Sequence, residues 1–408
     1  MRQRSPGIGL LRRGVIAGLA VAILLGAVAY SVQFRHGLGV TGLSRAVPWG
    51  LYISQFTFLV GVAASSVLVV LPRHVHGRRD GAELVLVGEA LSVAALLEAF
   101  TFVLVDLGRP ERVLHVLLHP SPSSLMFWDI LTLSGYLVVC AAVLAGSLLA
   151  RPGERGHAPR WLVLASIPLA VGIHVVTALL YAGLVARGSW MTAILAPKFL
   201  ATAFASGSAL LLLLARALDA TGALPVPPTA LARLAGILTY ALAATLLFAG
   251  LEAFTSLYSG LPGGAAHVGH LYLPAAHAVG PAALMLTSTG LGALALGVLL
   301  WPALRGRPRL LDLACGAVLL SVYLEKGLVF VPSGFAPSAL GADVAYAPSA
   351  IEVTIALGIH AGGALFFLAL LHQVLARSRA PAAAPAGPPT VAASAAAGPA
   401  MAPGAVVG

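Results

Sequence analysis

Ten runs of mainly apolar residues, at roughly 13–32, 48–71, 84–106, 127–150, 161–185, 195–215, 233–256, 275–300, 310–329 and 351–375, follow one another along the chain. Each is close to the ~20 residues that a helix needs to cross a bilayer. Pro, Gly or charge separates each run from the next, as in Leu71-Pro72-Arg73 and Arg305-Gly306-Arg307-Pro308-Arg309. Hydrocarbon offers no water to satisfy backbone N–H and C=O groups, so such runs must be helices rather than open sheet. The expected fold is all-α, a polytopic transmembrane helix bundle of about ten transmembrane helices. Residues 1–379 read as one integral membrane domain. The Ala-, Pro- and Gly-rich residues 380–408 read as a disordered cytoplasmic tail.

Composition excludes the main soluble alternatives. The chain is 59% hydrophobic and 9% charged, against about 25% charged in a soluble domain. Its net charge of +10 raises nucleic-acid binding, but the Arg residues stand singly or in short groups between apolar runs. That pattern belongs to membrane loops and leaves no basic face for phosphates. The two cysteines, Cys140 and Cys315, each lie alone in an apolar run. The chain therefore has no thiolate set of its own for an iron–sulfur cluster.

With the N-terminus placed in the cytoplasm, alternating loops assign 17 of the 24 Lys and Arg residues to the inner side and 7 to the outer. This positive-inside bias puts both termini in the cytoplasm. Arg12-Arg13 and Ala27-Val28-Ala29 also fit a cleavable signal peptide. We read the first run as a retained helix; cleavage leaves nine spans in the same orientation.

Ionisable side chains inside a membrane cost at least about 2.5 kcal/mol each and need a partner or a task. In this orientation Glu98, Asp106, Asp129, Glu252, Glu325 and Glu352 all fall toward the outer ends of their helices, where Arg109, Arg112, Lys198, Lys326 and His277 also stand. The inner half keeps Glu89 and Asp312. Interfacial ion pairing explains some of these, Glu352 and Asp106 at helix termini above all. Glu98 and Glu252 lie deeper in apolar sequence, and His174 sits mid-run, where an imidazole either bonds a neighbouring helix or carries a proton. A polar, protonatable site at one membrane face suits a quinone, whose oxygens need hydrogen-bond partners and proton acceptors. Ion transporters and b-type cytochromes use similar residues.

Specific wording narrows the choice. Val47-Pro48-Trp49-Gly50-Leu51-Tyr52 and Asp106-Leu107-Gly108-Arg109-Pro110-Glu111-Arg112, leading to Met126-Phe127-Trp128-Asp129, resemble the NrfD/PsrC family of quinone-interacting membrane subunits. Ile173-His174, Phe199 to Gly207, Glu325-Lys326-Gly327 and Pro348 to Glu352 extend the match over roughly residues 40–376. Ten spans are more similar to its HybB, DsrP and alternative complex III branch than to the eight-span polysulfide reductase subunit. The resemblance implies a subunit of a membrane-bound respiratory oxidoreductase complex in the bacterial cytoplasmic membrane. It implies quinone or quinol (menaquinone or ubiquinone) as cofactor, with no haem or iron–sulfur cluster of the chain's own. The implied partner is a ferredoxin-like iron–sulfur subunit on the extracytoplasmic side, leading to a catalytic redox subunit or multihaem cytochrome. Carried over onto this chain, the proton-handling residues are Asp106, Asp129, His174 and Glu252, and the quinone contacts are Gln55, Arg109 and His174. The competing readings are a b-type cytochrome anchor, which needs facing histidines such as His174 and His360, and a secondary transporter.

Overall fold

The computed structural model describes residues 6–65, 67–68, 82–149, 159–260, 263–273, 279–336 and 344–378, and every regular element among them is helical. The main helices are α1 (Pro6–His36), α2 (Leu51–Ala63), α3 (Ala82–Asp106), α4 (Leu125–Leu149), α5 (Arg160–Ala182), α6 (Leu195–Ala220), α7 (Pro228–Tyr258), the short α8 (Gly264–Tyr272), α9 (Val279–Leu300), α10 (Pro308–Val322) and α11 (Ala350–Ser378). Nine helices among the described residues are long and apolar enough to cross a membrane, counting α10 with its continuation to Ser333; α2 is a tenth, shorter apolar helix. The chain is thus a multi-pass helical bundle, as its sequence predicts. The 380–408 tail, the Arg73–Arg79 and 151–158 segments and His277 lie outside the described residues.

Two four-helix rings carry the fold. In the first, α2 packs on α3, α3 on α4, α4 on α5 and α5 back on α2. In the second, α6 packs on α7, α7 on α9, α9 on α10 and α10 on α6. The rings meet where α2 and α5 lie against α6, and where α2 crosses the end of α10. Eleven of the thirteen residues of α2 are buried, which identifies it as the central element. Small side chains permit the close approach: a methyl added at Gly207 of α6 would touch Ser65 and Leu68 beyond α2. Outside the rings, α11 packs on α3, and α1 on α11. There Gly26 and Gly358 meet backbone to backbone, with no room for a Cβ on either.

At its end α10 loosens into a π-helical turn over Tyr323–Val329 before finishing as a helical turn over Phe330–Ser333. Such turns leave carbonyls available to outside donors. Here Gln55 of α2 donates from Nε2 to the Gly327 carbonyl at 2.6 Å. The Tyr323 ring packs edge-on against Phe58 of the same helix, 5.2 Å between centroids.

Candidate functional site

Helices α2, α4, α6 and α11 begin at the end of the bundle where α3, α5, α7 and α10 finish, so polar residues near those termini converge. Sequence reasoning pictures one charged rim there. The structure divides it into separate clusters, while Arg216 and Asp312 pair at the opposite end.

The first cluster lies in the α2–α5 ring. Asp129, one turn into α4, is 6% exposed, and its Oδ1 accepts the hydroxyl of Thr177 on α5 at 2.6 Å. One turn back on α5, His174 donates from Nδ1 to the Ala170 carbonyl at 2.6 Å. A carbonyl can only accept, so Nδ1 carries the hydrogen and the neutral ring keeps its lone pair on Nε2. That Nε2 is buried with no hydrogen-bond partner among the described residues. It lines a cavity of about 10 Å³, the room of one water molecule, together with Lys326, Phe199 and Thr202. One turn beyond Thr177 on α5, Tyr181 shares a 2.6 Å hydrogen bond with Thr57 of α2. Its ring sits among Trp49, Trp190, Phe199 and Phe330.

Asp106 closes α3 with a buried Oδ1 that has no hydrogen-bond partner among the described residues. The guanidinium of Arg109 turns to Glu111 at 3.7 Å, and both side chains are mostly exposed. Among the described residues it pairs with neither Asp106 nor Asp129.

Glu252 belongs to a second cluster, in the other ring. Its carboxylate receives the Lys198 ammonium at 2.6 Å. Lys198 also lies 2.9 Å from Glu325 Oε1, an ion pair whose geometry falls short of a hydrogen bond. The neighbouring Lys326 has no hydrogen-bond partner among the described residues and stands over the Phe199 ring, 2.9 Å from its centroid. Ser189, His267 and Tyr272 complete the walls of a small chamber around Lys198 and Glu252. His267 lies on α8, beyond the spans, and burial holds its imidazole below the ordinary histidine range.

Gln55 enters a third cluster. While its Nε2 holds Gly327, its Oε1 lies 3.0 Å from Nε2 of His360 on α11. The other ring nitrogen of His360 pairs with Oε1 of Glu98 on α3. Both nitrogens are therefore engaged. Glu352 stands apart as a loop lock: its Oε2 accepts the backbone N–H groups of Gly42 and Ser349, and its Oε1 the Tyr346 hydroxyl. Backbone N–H groups and a phenol, rather than the ion pair expected at a helix terminus, hold this carboxylate. Fully buried Glu89, in α3, stands against the Cys140 thiol of α4.

Sequence reasoning missed Thr177, one of many hydroxyls in helices, and the pairing of Glu98 with His360 across 262 positions. Neither carries a local signal. Among the described residues no group of three His, Cys, Asp or Glu side chains is placed to hold a metal ion.

Comparison with known proteins agrees with this architecture. The family described as Polysulphide reductase, NrfD matches residues 39–336. A provisionally named dimethyl sulfoxide reductase membrane subunit from Halobacterium salinarum is 30% identical over 92% of this chain and 94% of its own length. A selenate reductase subunit of Mesobacillus selenatarsenatis is 22% identical over 50% of this chain and 56% of its own length. The Hdr-like menaquinol oxidoreductase integral membrane subunit of Archaeoglobus fulgidus is 25% identical over 47% of this chain and 49% of its own.

Proposed function

The chain belongs to the NrfD family, and from that premise we propose that it is the quinone-interacting membrane subunit of a respiratory reductase complex. The names of its relatives, one of them a menaquinol oxidoreductase subunit, support the reading. The observation that carries it is Asp129, a carboxylate buried in the first ring with one hydroxyl as its partner. A structural carboxylate in this bundle is neutralised by a cation, as Glu252 is by Lys198, or satisfied by several donors, as Glu352 is. Asp129 keeps acceptor capacity for a proton.

A bound quinol supplies two electrons and two protons. On this chain Asp129 accepts a proton, Asp106 offers a second carboxylate at the same end, and the His174 Nε2 lone pair is a further acceptor. Thr177 holds the Asp129 carboxylate in position. The electrons pass to a ferredoxin-like iron–sulfur subunit and through it to a catalytic subunit. The loops at this end receive that partner: the 107–124 segment exposes Leu114, Leu117 and Leu118 beside Arg109 and Arg112, an apolar patch with a basic edge. We place this end on the extracytoplasmic side of a bacterial cytoplasmic membrane, with both termini inside, from the distribution of Lys and Arg.

The test is quinol oxidation by the purified complex, followed with an artificial electron acceptor, together with cross-linking from residues 107–124. Quinol-dependent turnover and capture of a cluster-bearing protein are expected. A complex that neither binds nor oxidises quinol overturns the assignment.

A further inference from the structure

A groove of about 510 Å³ runs between α1, α3 and α11. It extends along α3 from Ala94 to Val105, about 16 Å at the helical rise of 1.5 Å per residue. Its walls are mostly small or apolar, among them Ala27, Leu97, Ile359 and Gly362; Tyr30 and Thr101 add hydroxyls, the latter turned to its own helix, and Glu98 brings a carboxylate into it. The volume falls within the ~300–1,000 Å³ of small-molecule sites, and the length exceeds that of a single ring. All three walls are membrane spans, so the ligand comes from the lipid phase and carries an apolar tail.

The hydrogen bonds specify its polar end. The Gly327 carbonyl can only accept, which turns the Gln55 amide so that its oxygen faces His360. His360 Nε2 must then carry a hydrogen. The contact between His360 Nδ1 and Glu98 Oε1 needs a hydrogen of its own, so imidazole and carboxyl together hold one shared proton. Glu98 Oε2 has no hydrogen bond among the described residues and lies against Gly363, where any side chain would displace it. With the shared proton committed to Oε1, Oε2 is an acceptor. A ligand there must donate. An anionic lipid headgroup is repelled by the carboxylate, and an oxidised quinone offers only acceptors.

We propose that this groove binds a prenylated hydroquinone, with one ring hydroxyl donating to Glu98 Oε2 and the tail lying along α1, α3 and α11. This deepens the quinone reading above by assigning it a site, apart from Asp129, on the outer face of α3.

The experiment uses the intact complex in phosphatidylethanolamine liposomes and an isoprenoid azido-quinone reduced to its hydroquinone. After photolysis, peptides are mapped by mass spectrometry. Labelling is expected within residues 82–106 or 350–378, with unlabelled hydroquinone protecting about tenfold better than its dimethyl ether, which keeps size and tail but has no O–H. Gly362→Phe and Ala27→Phe fill the groove from opposite walls, with open space around the added Cβ at 362, and each should lower labelling at least tenfold. Equal protection by the ether overturns the proposal, as does labelling that moves to α4 and α5 or persists in both variants. In those cases quinone binding itself still stands. No labelling of any peptide of this chain removes the groove and the quinone reading together.

Discussion

The ammonium of Lys198 lies 2.6 Å from the carboxylate of Glu252, with the Lys198 side chain 5% exposed. A cation buried between helices α6 and α7 turns Glu252 from a free acid into half of an ion pair. Removing one member of such a pair strands the other without water. Lys198→Met leaves both Glu252 and Glu325 without their shared cation and should cost about 3–5 kcal/mol, read as a fall in the melting temperature of the purified protein. Unchanged melting would show that the pair contributes little to stability.

Asp129→Asn keeps the volume and one oxygen for Thr177 but removes the proton acceptor. Quinol oxidation should fall by about 10²–10⁴-fold, the usual worth of a general base, in a complex that still assembles. Thr177→Val, which only loosens the carboxylate, should cost less than about tenfold on the same scale. Full turnover by Asp129→Asn would end the proton role, and a complex that no longer assembles would make Asp129 a scaffold residue.

Tyr346 joins three segments: its oxygen accepts the Leu51 N–H at 2.7 Å and donates to Glu352 at 2.8 Å. Tyr346→Phe should destabilise by about 1–3 kcal/mol, because it leaves a carboxylate and an N–H without their partner. Burial, then the Glu352 carboxylate, push the Tyr346 phenol above the ordinary tyrosine value. The folded state therefore holds this proton longer than the unfolded chain does. Its stabilisation is complete below about pH 10, the unfolded value, and declines as pH rises beyond it. The difference between wild type and Tyr346→Phe should stay flat to about pH 10 in denaturation experiments and narrow above it. A difference that narrows already near neutrality would contradict the assignment.

Orientation is tested with single cysteines. A membrane-impermeant maleimide added outside should label a cysteine replacing Ser123 and miss one replacing Gly77, since the Arg73–Arg79 stretch carries the inner charge. The reverse pattern would turn the polar end of the bundle toward the cytoplasm.

Much of the fold is legible in the sequence because lipid imposes it. Apolar length fixes the spans, and the Pro and Arg runs fix their ends. Helix direction follows by alternation, which correctly gathers Asp129, Glu252, Glu325 and Glu98 at one end. Partnership is not legible. Lys198 and Glu252 are 54 positions apart and Gln55 and His360 are 305 apart, and no periodicity within a span says which neighbour its polar face will meet. Arg109, beside Asp106 in sequence, turns to Glu111, while Asp129 draws on Thr177 from another helix. The π turn at Tyr323–Val329 is likewise silent, since its residues suit an ordinary helix equally well.

The glycine crossing of α1 with α11 has a consequence for biosynthesis. Gly26 meets Gly358 backbone to backbone, so α1 waits for a helix made much later in the chain. At about 5–20 residues per second, the intervening chain takes tens of seconds to make. Over that interval Gln33 tethers α1 to the growing bundle, bonding the Val105 carbonyl at 2.7 Å and receiving the Tyr52 hydroxyl, with Ala29 and Tyr30 packed against its core. The arrival of α11 beside α1 and α3 then brings His360 to Glu98. A chain stalled before residue 358 would sit in the membrane with its first helix astray and its Glu98 carboxylate bare, a form that a membrane-embedded protease can distinguish from the finished protein.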